Sequence, residues 1–276
     1  MLDIHVHPRR GAVSAVAHLD GSGVAKAVLL ARIDDQERVK TEISGHPGRL
    51  VWFGSTDPSK PGGIDRLRQA IAGGGALGFG EMKTHLAAAS PDMQRLYDLA
   101  AEMRVPVLLH FQEVQHFATE GNFNEGFHDF DKMLKAHRNT TFIAHADLFW
   151  ANVSADVPPN VAYPDGPIKP GGLSDRWLSD YPNFYGDLSA NSGNNAISRD
   201  RDFMRGFFER HQTKLMFGSD CSCRDGHGAG GNPILPRLKG KCVARDTLGL
   251  LKSLTTPDVF RRITWENGTR LLKISA

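Results

Sequence analysis

Leu2-Asp3-Ile4-His5-Val6-His7 opens the chain, and its form decides the fold because the same form returns further along. It is a short, largely apolar run that ends in a side chain able to bind a metal. Val105-Pro106-Val107-Leu108-Leu109-His110 and Thr141-Phe142-Ile143-Ala144-His145 end in histidine as well, and Leu215-Met216-Phe217-Gly218-Ser219-Asp220 ends in aspartate. Short apolar or β-branched runs of this kind fit strands of a parallel sheet buried on both faces. Working outward gives eight strand candidates, at 2–7, 25–31, 50–56, 76–83, 105–110, 141–145, 184–189 and 214–220. The run at 76–83 is rich in glycine and has the weakest strand propensity.

Helical patterns fall between these runs. At 63–72, Ile64, Leu67 and Ile71 share one face. Ser90 has the form of an N-cap and Pro91 of a first helical residue, with Leu96, Ala100 and Met103 as the apolar stripe behind them. Phe130, Met133 and Leu134 mark a helix at 127–137, and Phe203, Met204, Phe207 and Phe208 mark one at 203–211. Thr256-Pro257-Asp258 opens a last helix through Val259, Phe260 and Ile263. Alternation of strands and helices over 276 residues predicts a single (β/α)₈ TIM barrel domain spanning 1–276, regular or distorted. A doubly wound open sheet is the runner-up. The connection 146–183, after the sixth strand, is far longer than an ordinary loop of such a fold and reads as a lid or substrate-recognition segment.

Composition bounds the function. Apolar residues make up 40% and charged residues 23%, and the net charge is +2. This is an ordinary balance for a globular enzyme, and neither a nucleic-acid nor a membrane partner is expected. No apolar run is long enough to span a bilayer, and no signal peptide is visible. The expected compartment is the cytoplasm, although processing or trimming at the N-terminus would leave export open. Cys221, Cys223 and Cys242 are too few for a disulfide framework. A Cys-Ser-Cys pair can bind metal, but without further ligands at matching spacing it reads as two small residues in a loop.

The chemistry lies at the strand ends. Alternate residues of a strand share a face, so His5 and His7 point the same way and can share one metal. In a parallel barrel the C-terminal ends of all strands lie on one rim. That rim would gather His5, His7, His110 and His145, the carboxylates of Glu81 and Asp220, and Lys83. Such a cluster of ligand-type residues marks a metal or catalytic site.

This pattern resembles the amidohydrolase superfamily: His-x-His on the first strand, Glu or Lys on the fourth, His on the fifth and sixth, and Asp on the eighth. Within it, the chain is similar to the branch that includes aminocarboxymuconate semialdehyde decarboxylase, and Glu266-Asn267-Gly268-Thr269-Arg270-Leu271-Leu272 is similar to the segment that closes many members. The resemblance implies that His5, His7 and His110 are metal ligands and that Asp220 is a ligand or the general base. It makes His145 a ligand of a second metal or a catalytic acid/base. It places Glu81 at the position that bridges two metals in some relatives, with Lys83, which other relatives carboxylate, as the alternative. Glu81 is preferred because it supplies anionic oxygens unmodified. Nitrogen and carboxylate ligands without thiolate suit one or two Zn²⁺ ions, and Mn, Fe or Co also fit.

The implied activity is a metal-dependent hydrolase using metal-activated water on an amide, lactone, ester or related bond of a small organic molecule. The alternative is a non-oxidative decarboxylase, a lyase, of the same superfamily. Arg9, Lys83, His85, Gln112, Trp150, Asn191, Arg224 and His227 lie at or just after strand ends, where substrate is met in such barrels. Asp187 is a candidate for orienting a ligand, and Asp147, two residues after His145, for orienting a neighbour or capping a loop. His18, His46, His116, His128, His137 and His211 read as structural or solvated. A homo-oligomer is compatible with this reading.

Overall fold

A computed structural model of the chain describes residues 1–9 and 14–274. Eight parallel strands follow one another in sequence order around a single sheet: β1 (Leu2–Val6), β2 (Lys26–Arg32), β3 (Leu50–Ser55), β4 (Phe79–Met82), β5 (Pro106–His110), β6 (Thr141–His145), β7 (Phe184–Asp187) and β8 (Leu215–Met216). Each falls in or within one residue of an expected run. β8 has only two residues in its ladder. Beyond it, backbone hydrogen bonds from Ile4 N to Phe217 O (3.0 Å) and from Asp220 N to His5 O (2.8 Å) join the last strand to the first. The result is a nearly closed (β/α)₈ barrel.

The helices are α1 (Ala15–Ser22), α2 (Gln36–Gly45), α3 (Gly63–Ala72), α4 (Pro91–Met103), α5 (Asp131–Ala136), α6 (Asp147–Ala151), α7 (Leu173–Asp180), α8 (Ala190–Arg199), α9 (Arg201–Arg210), α10 (Val243–Leu254), α11 (Pro257–Arg261) and α12 (Asn267–Leu272). Local chemistry sets their starts. The Ser90 hydroxyl accepts from Met93 N and the Thr256 hydroxyl from Val259 N, each ahead of a proline; a cap of this kind contributes about 1 kcal/mol. The helix expected at 127–137 begins as a 3₁₀ turn, Phe127–Asp129, and only then becomes α5. The long connection after β6 is partly scaffold: it starts with the buried α6 and ends with α7, which crosses back to β7. No helix among the described residues is long and apolar enough to cross a membrane.

Strand alternation divides the core. Leu2, Ile4, Val28, Leu30, Phe53, Leu108, Ile143 and Met216 pack together, drawn from six of the eight strands, and fill the barrel interior. The intervening residues, such as Ala27, Leu29 and Trp52 or Val107, Leu109 and Phe142, pack outward under the helices. Above the interior layer, the same inward-facing positions carry the polar residues of the rim.

Candidate metal centre

β5 and β6 deliver their ligands by simple alternation. Leu108 and Ile143 face the interior, and two residues later His110 and His145 do so at the rim, where they are register partners. β1 and β4 do not. The β1–β2 register shifts between Asp3 and Val6, so Ile4 faces the interior and His5, its neighbour, reaches the rim as well. The β4–β5 register shifts between Phe79 and Met82, around Glu81. Irregularities of this kind re-aim side chains beside active sites. Asp220 follows β8 in the left-handed region (φ 44°), its N–H anchored on His5 O.

Glu81 stands at the centre. Its Oε2 lies 3.4 Å from His7 Nε2 and 4.0 Å from His5 Nε2, while its Oε1 contacts His110 Nδ1 and lies 3.4 Å from His145 Nε2. Asp220 Oδ1 lies 3.4 Å from His7 Nε2 and 3.9 Å from His5 Nε2. Three overlapping groups therefore have the spacing to hold a cation: His5, His7 and Glu81; His5, His145 and Asp220; Glu81, His110 and His145.

The four imidazoles share a further property. Each has its second nitrogen committed to a fixed acceptor. His5 Nδ1–H donates to Asp187 Oδ2 (2.6 Å), and His7 Nδ1–H donates to Leu30 O (3.1 Å). His145 Nδ1–H donates to Ser189 Oγ (2.7 Å), whose own hydroxyl donates to Asp187 Oδ2 (2.8 Å). His110 Nε2–H donates to Gln112 Oε1 (2.7 Å), an orientation set because Gln112 Nε2 donates to Glu120 Oε2 and Val114 O. The opposite nitrogens turn to the centre, where those of His7 and His110 face Glu81, and as neutral rings all four would offer lone pairs to a cation. Those of His5 and His145 are buried and have no hydrogen-bond partner. Buried, unpartnered imidazole nitrogens held in one tautomer are the form metal-binding histidines take, so the donor set fits a divalent cation.

Electrostatics agree with this arrangement. Burial opposes charge on His5, but the carboxylates of Asp187, Asp220 and Glu81 outweigh it and raise the imidazole to about 10 in the absence of a cation. Burial and the neighbouring imidazole of His5 hold His145 well below the usual range, so it is neutral. Burial disfavours the Glu81 carboxylate, yet His110, His7 and His5 hold it ionised. Asp187 is raised by burial, with His5 opposing.

Other expected residues separate into groups. Lys83 and His85 do not join the ligand cluster. Lys83 Nζ lies 3.7 Å from Glu120 Oε1 and over the Phe123 ring, and His85 stacks on the same ring. Both line a cleft of about 420 Å³ that runs past Glu81 and also carries Arg32, Lys60 and Arg66. Trp150 is buried and takes no place at the rim; its indole N–H donates to Asp187 O at 3.0 Å. Asn191 Oδ1 accepts from Ile234 N and Leu235 N, tying a loop to α8. Arg224 and His227 are exposed, and His227 Nδ1 accepts from Arg245. Arg9 keeps Nε and one terminal nitrogen buried without a partner among the described residues. Asp147 orients a neighbouring side chain, accepting from His116 Nε2 (2.7 Å), and His116 belongs to a polar network with Tyr163.

Three positioning residues were not singled out from the sequence. Ser189 stands two residues after Asp187, so period-two reasoning at the end of β7 could have found it. Asn124 (φ 46°) donates to Met82 O and His110 O and pins β4 to β5 beside Glu81. Asp3 is buried and accepts from His5 N and Ser219 N, pinning β1 to β8. Asn124 and Asp3 tie together strands distant in sequence, through Met82 O, His110 O and Ser219 N, and those contacts carry no local signal.

No protein-family model and no curated protein sequence matches the chain. Solved structures do. A putative 2-pyrone-4,6-dicarboxylic acid hydrolase from Pseudomonas putida is 12% identical with a TM-score of 0.62, over 100% of this chain and 98% of that one. A putative amidohydrolase from Staphylococcus aureus is 12% identical with a TM-score of 0.61, over 99% of each. A dihydroxybenzoic acid decarboxylase from a Polaromonas species, with bound manganese and the inhibitor 2-nitroresorcinol, is 13% identical with a TM-score of 0.59, over 94% and 84%. The chain thus has the barrel fold of structures that include a hydrolase, an amidohydrolase and a manganese-bound decarboxylase.

Proposed function

We propose that this chain is a metal-dependent hydrolase of the amidohydrolase superfamily, acting on an amide, lactone, ester or related bond of a small organic molecule. One observation carries the reading. The two oxygens of Glu81 divide between two pairs of imidazoles, His5 with His7 and His110 with His145. A carboxylate so placed could hold one cation with each pair, and Asp220, 3.4 Å from His7 Nε2, would add a ligand to the first. Zinc or manganese suits the set of nitrogen and oxygen donors. When bound, such cations acidify a water and polarise a substrate oxygen.

The protein's own groups then have distinct tasks. Asp220, one-third exposed at the rim, takes the proton from the attacking water and delivers it to the leaving group. His145, neutral and held by Ser189, serves as a ligand. Asp187 and Ser189 keep His5 and His145 turned inward. Lys83, Arg32 and Lys60 line the adjoining cleft and favour a substrate that carries a carboxylate or another anionic group.

The test is metal content per chain in wild type and Glu81→Gln, combined with a panel of anionic lactones, amides and esters in ¹⁸O water. A loss of about one equivalent in the variant relative to wild type, with ¹⁸O in the acid released, is the expected result. Release of CO₂ from aromatic acids without ¹⁸O uptake would favour the decarboxylase reading, which the fold shared with the manganese-bound decarboxylase supports. A wild type that takes up no metal would overturn both.

A further inference from the structure

We propose that His18, Cys221, Cys223 and Cys242 form a separate structural metal site that binds one zinc ion. The sequence shows only a Cys-Ser-Cys pair; the remaining ligands come from α1 and from the residue that begins α10. Folding brings all four together, with one donor atom from each lying within 4.8 Å of the others. Cys221 Sγ is 3.3 Å from Cys223 Sγ and 3.8 Å from Cys242 Sγ, and His18 Nδ1 is 3.3 Å from Cys223 Sγ. A tetrahedral zinc with Zn–S of about 2.3 Å requires edges of about 3.8 Å between sulfurs and slightly shorter ones to nitrogen. The observed separations are close to those edges and far from the ~2.05 Å of a disulfide.

Burial makes the cluster hard to explain otherwise. His18 and Cys223 have no exposed surface, and Cys221 and Cys242 are 3% exposed. Three thiols and an imidazole gathered away from water make only weak hydrogen bonds to one another, whereas a cation would satisfy all four. The set of three cysteines and one histidine is a closed structural zinc set with no open position, unlike the rim. On binding, each cysteine ligand releases its proton to solvent and the histidine binds as the neutral ring.

The surrounding chain is shaped to the cluster. The loop after β8 approaches α1 so closely that a Cβ on Gly21 would lie 1.8 Å from Asp225 O, and one on Gly226 would lie 2.3 Å from Ser22 N. Cys242 is the N-cap of α10, where the helix end favours a thiolate. Cys221 directly follows Asp220. The ion would therefore clamp α1, the β8 loop and α10 together and fix the loop that presents Asp220 to the rim.

The experiment is X-ray absorption at the zinc edge on wild-type protein, prepared under reducing conditions with zinc in the medium, with thiol titration beside it. The rim has no sulfur ligand, so a shell of sulfur neighbours at about 2.3 Å reports this site alone and needs no variant. The expected result is that shell, release of one equivalent of zinc as a mercurial titrates three thiols, and loss of one equivalent in Cys223→Ser. Bound zinc with only nitrogen and oxygen neighbours would overturn the proposal. So would thiols that titrate without releasing zinc, or a mass lower by two hydrogen atoms that reveals a Cys221–Cys242 disulfide.

Discussion

Adding one methyl group at Gly218 should damage the metal centre without replacing a ligand. A Cβ placed there would lie 2.1 Å from Asp187 Oδ1 and 2.9 Å from His5 Cβ, where ordinary contact begins near 3.4 Å. Neither neighbour can yield easily. Asp187 is fully buried and accepts from His5 Nδ1, Ser189 Oγ and Ser189 N, and His5 is fixed through its own backbone on Asp3. Moving the carboxylate more than an ångström breaks its bond to His5. Overpacking costs about 1–3 kcal/mol, and a buried charged hydrogen bond contributes about 1.5–3 kcal/mol. Gly218→Ala should therefore lose about 3–5 kcal/mol of stability in urea unfolding and about tenfold or more in zinc affinity by chelator competition. The control is the same substitution at Gly249 in α10, where a Cβ meets nothing within 4 Å. There the backbone is helical, and alanine should stabilise by about 0.5–1 kcal/mol. If Gly218→Ala unfolds within about 0.5 kcal/mol of wild type and binds zinc equally well, the account of a tightly packed Asp187–His5 pair fails.

Further outcomes follow from the same geometry. His5 is raised from 6.5 to about 10 in the metal-free protein. Its proton thus contributes stability that is complete below pH 6.5 and lost as pH rises to about 10. Because a metal needs the unprotonated ring, the gain in Tm on zinc loading should grow across that window; an equal gain at both ends, measured by calorimetry, would refute it. Lys83→Ala should raise KM for an anionic substrate about tenfold, or ~1.4 kcal/mol, with kcat little changed; a fall in kcat alone would place Lys83 in the chemistry instead. Ser90→Ala should cost about 1 kcal/mol in thermal unfolding through the lost cap on Met93 N, with metal content unaltered.

The barrel was legible because each strand run is short, apolar and separated from the next by a helical pattern or a turn, and parallel strands buried on both faces can hardly take another form. His110 and His145 were legible at the rim by alternation from Leu108 and Ile143. His5 and Glu81 also stand at the rim, but alternation alone does not put them there. Alternation from Leu2 and Ile4, which face the interior, would send His5 outward, and only the register shift in β1 turns it to the rim. A one-residue irregularity leaves no mark in the sequence, because it is set by what the neighbouring strand requires. Lys83 shows the same limit. It stands two residues from Glu81 and so seemed to share its face, yet the shift in β4 takes it to Glu120 and Phe123. Trp150 looked accessible because it follows β6 closely, but α6 starts at once and folds it under Asp187.

What stayed hidden is what the fold assembles from distant pieces. Ser189 holds ring nitrogens of His5 and His145, Asn124 donates to the carbonyls of Met82 and His110, and Asp3 accepts from Ser219 N, partners that come from distant strands. The cysteine cluster is the strongest case, since 203 residues separate His18 from Cys221 and no spacing rule spans such a gap. The rim and the cluster meet in one segment. Asp220 and Cys221 are consecutive, so a single loop carries a rim carboxylate and a sulfur of the second cluster. Loops at this end of a barrel are ordinarily the most mobile part of the fold, yet Asp220 must hold a left-handed backbone conformation, which is uncommon for any residue but glycine. His5 O restrains its amide on one side. The cysteine cluster would restrain it on the other, which is a physical reason for a barrel with one metal centre at its rim to build another beneath the adjoining loop.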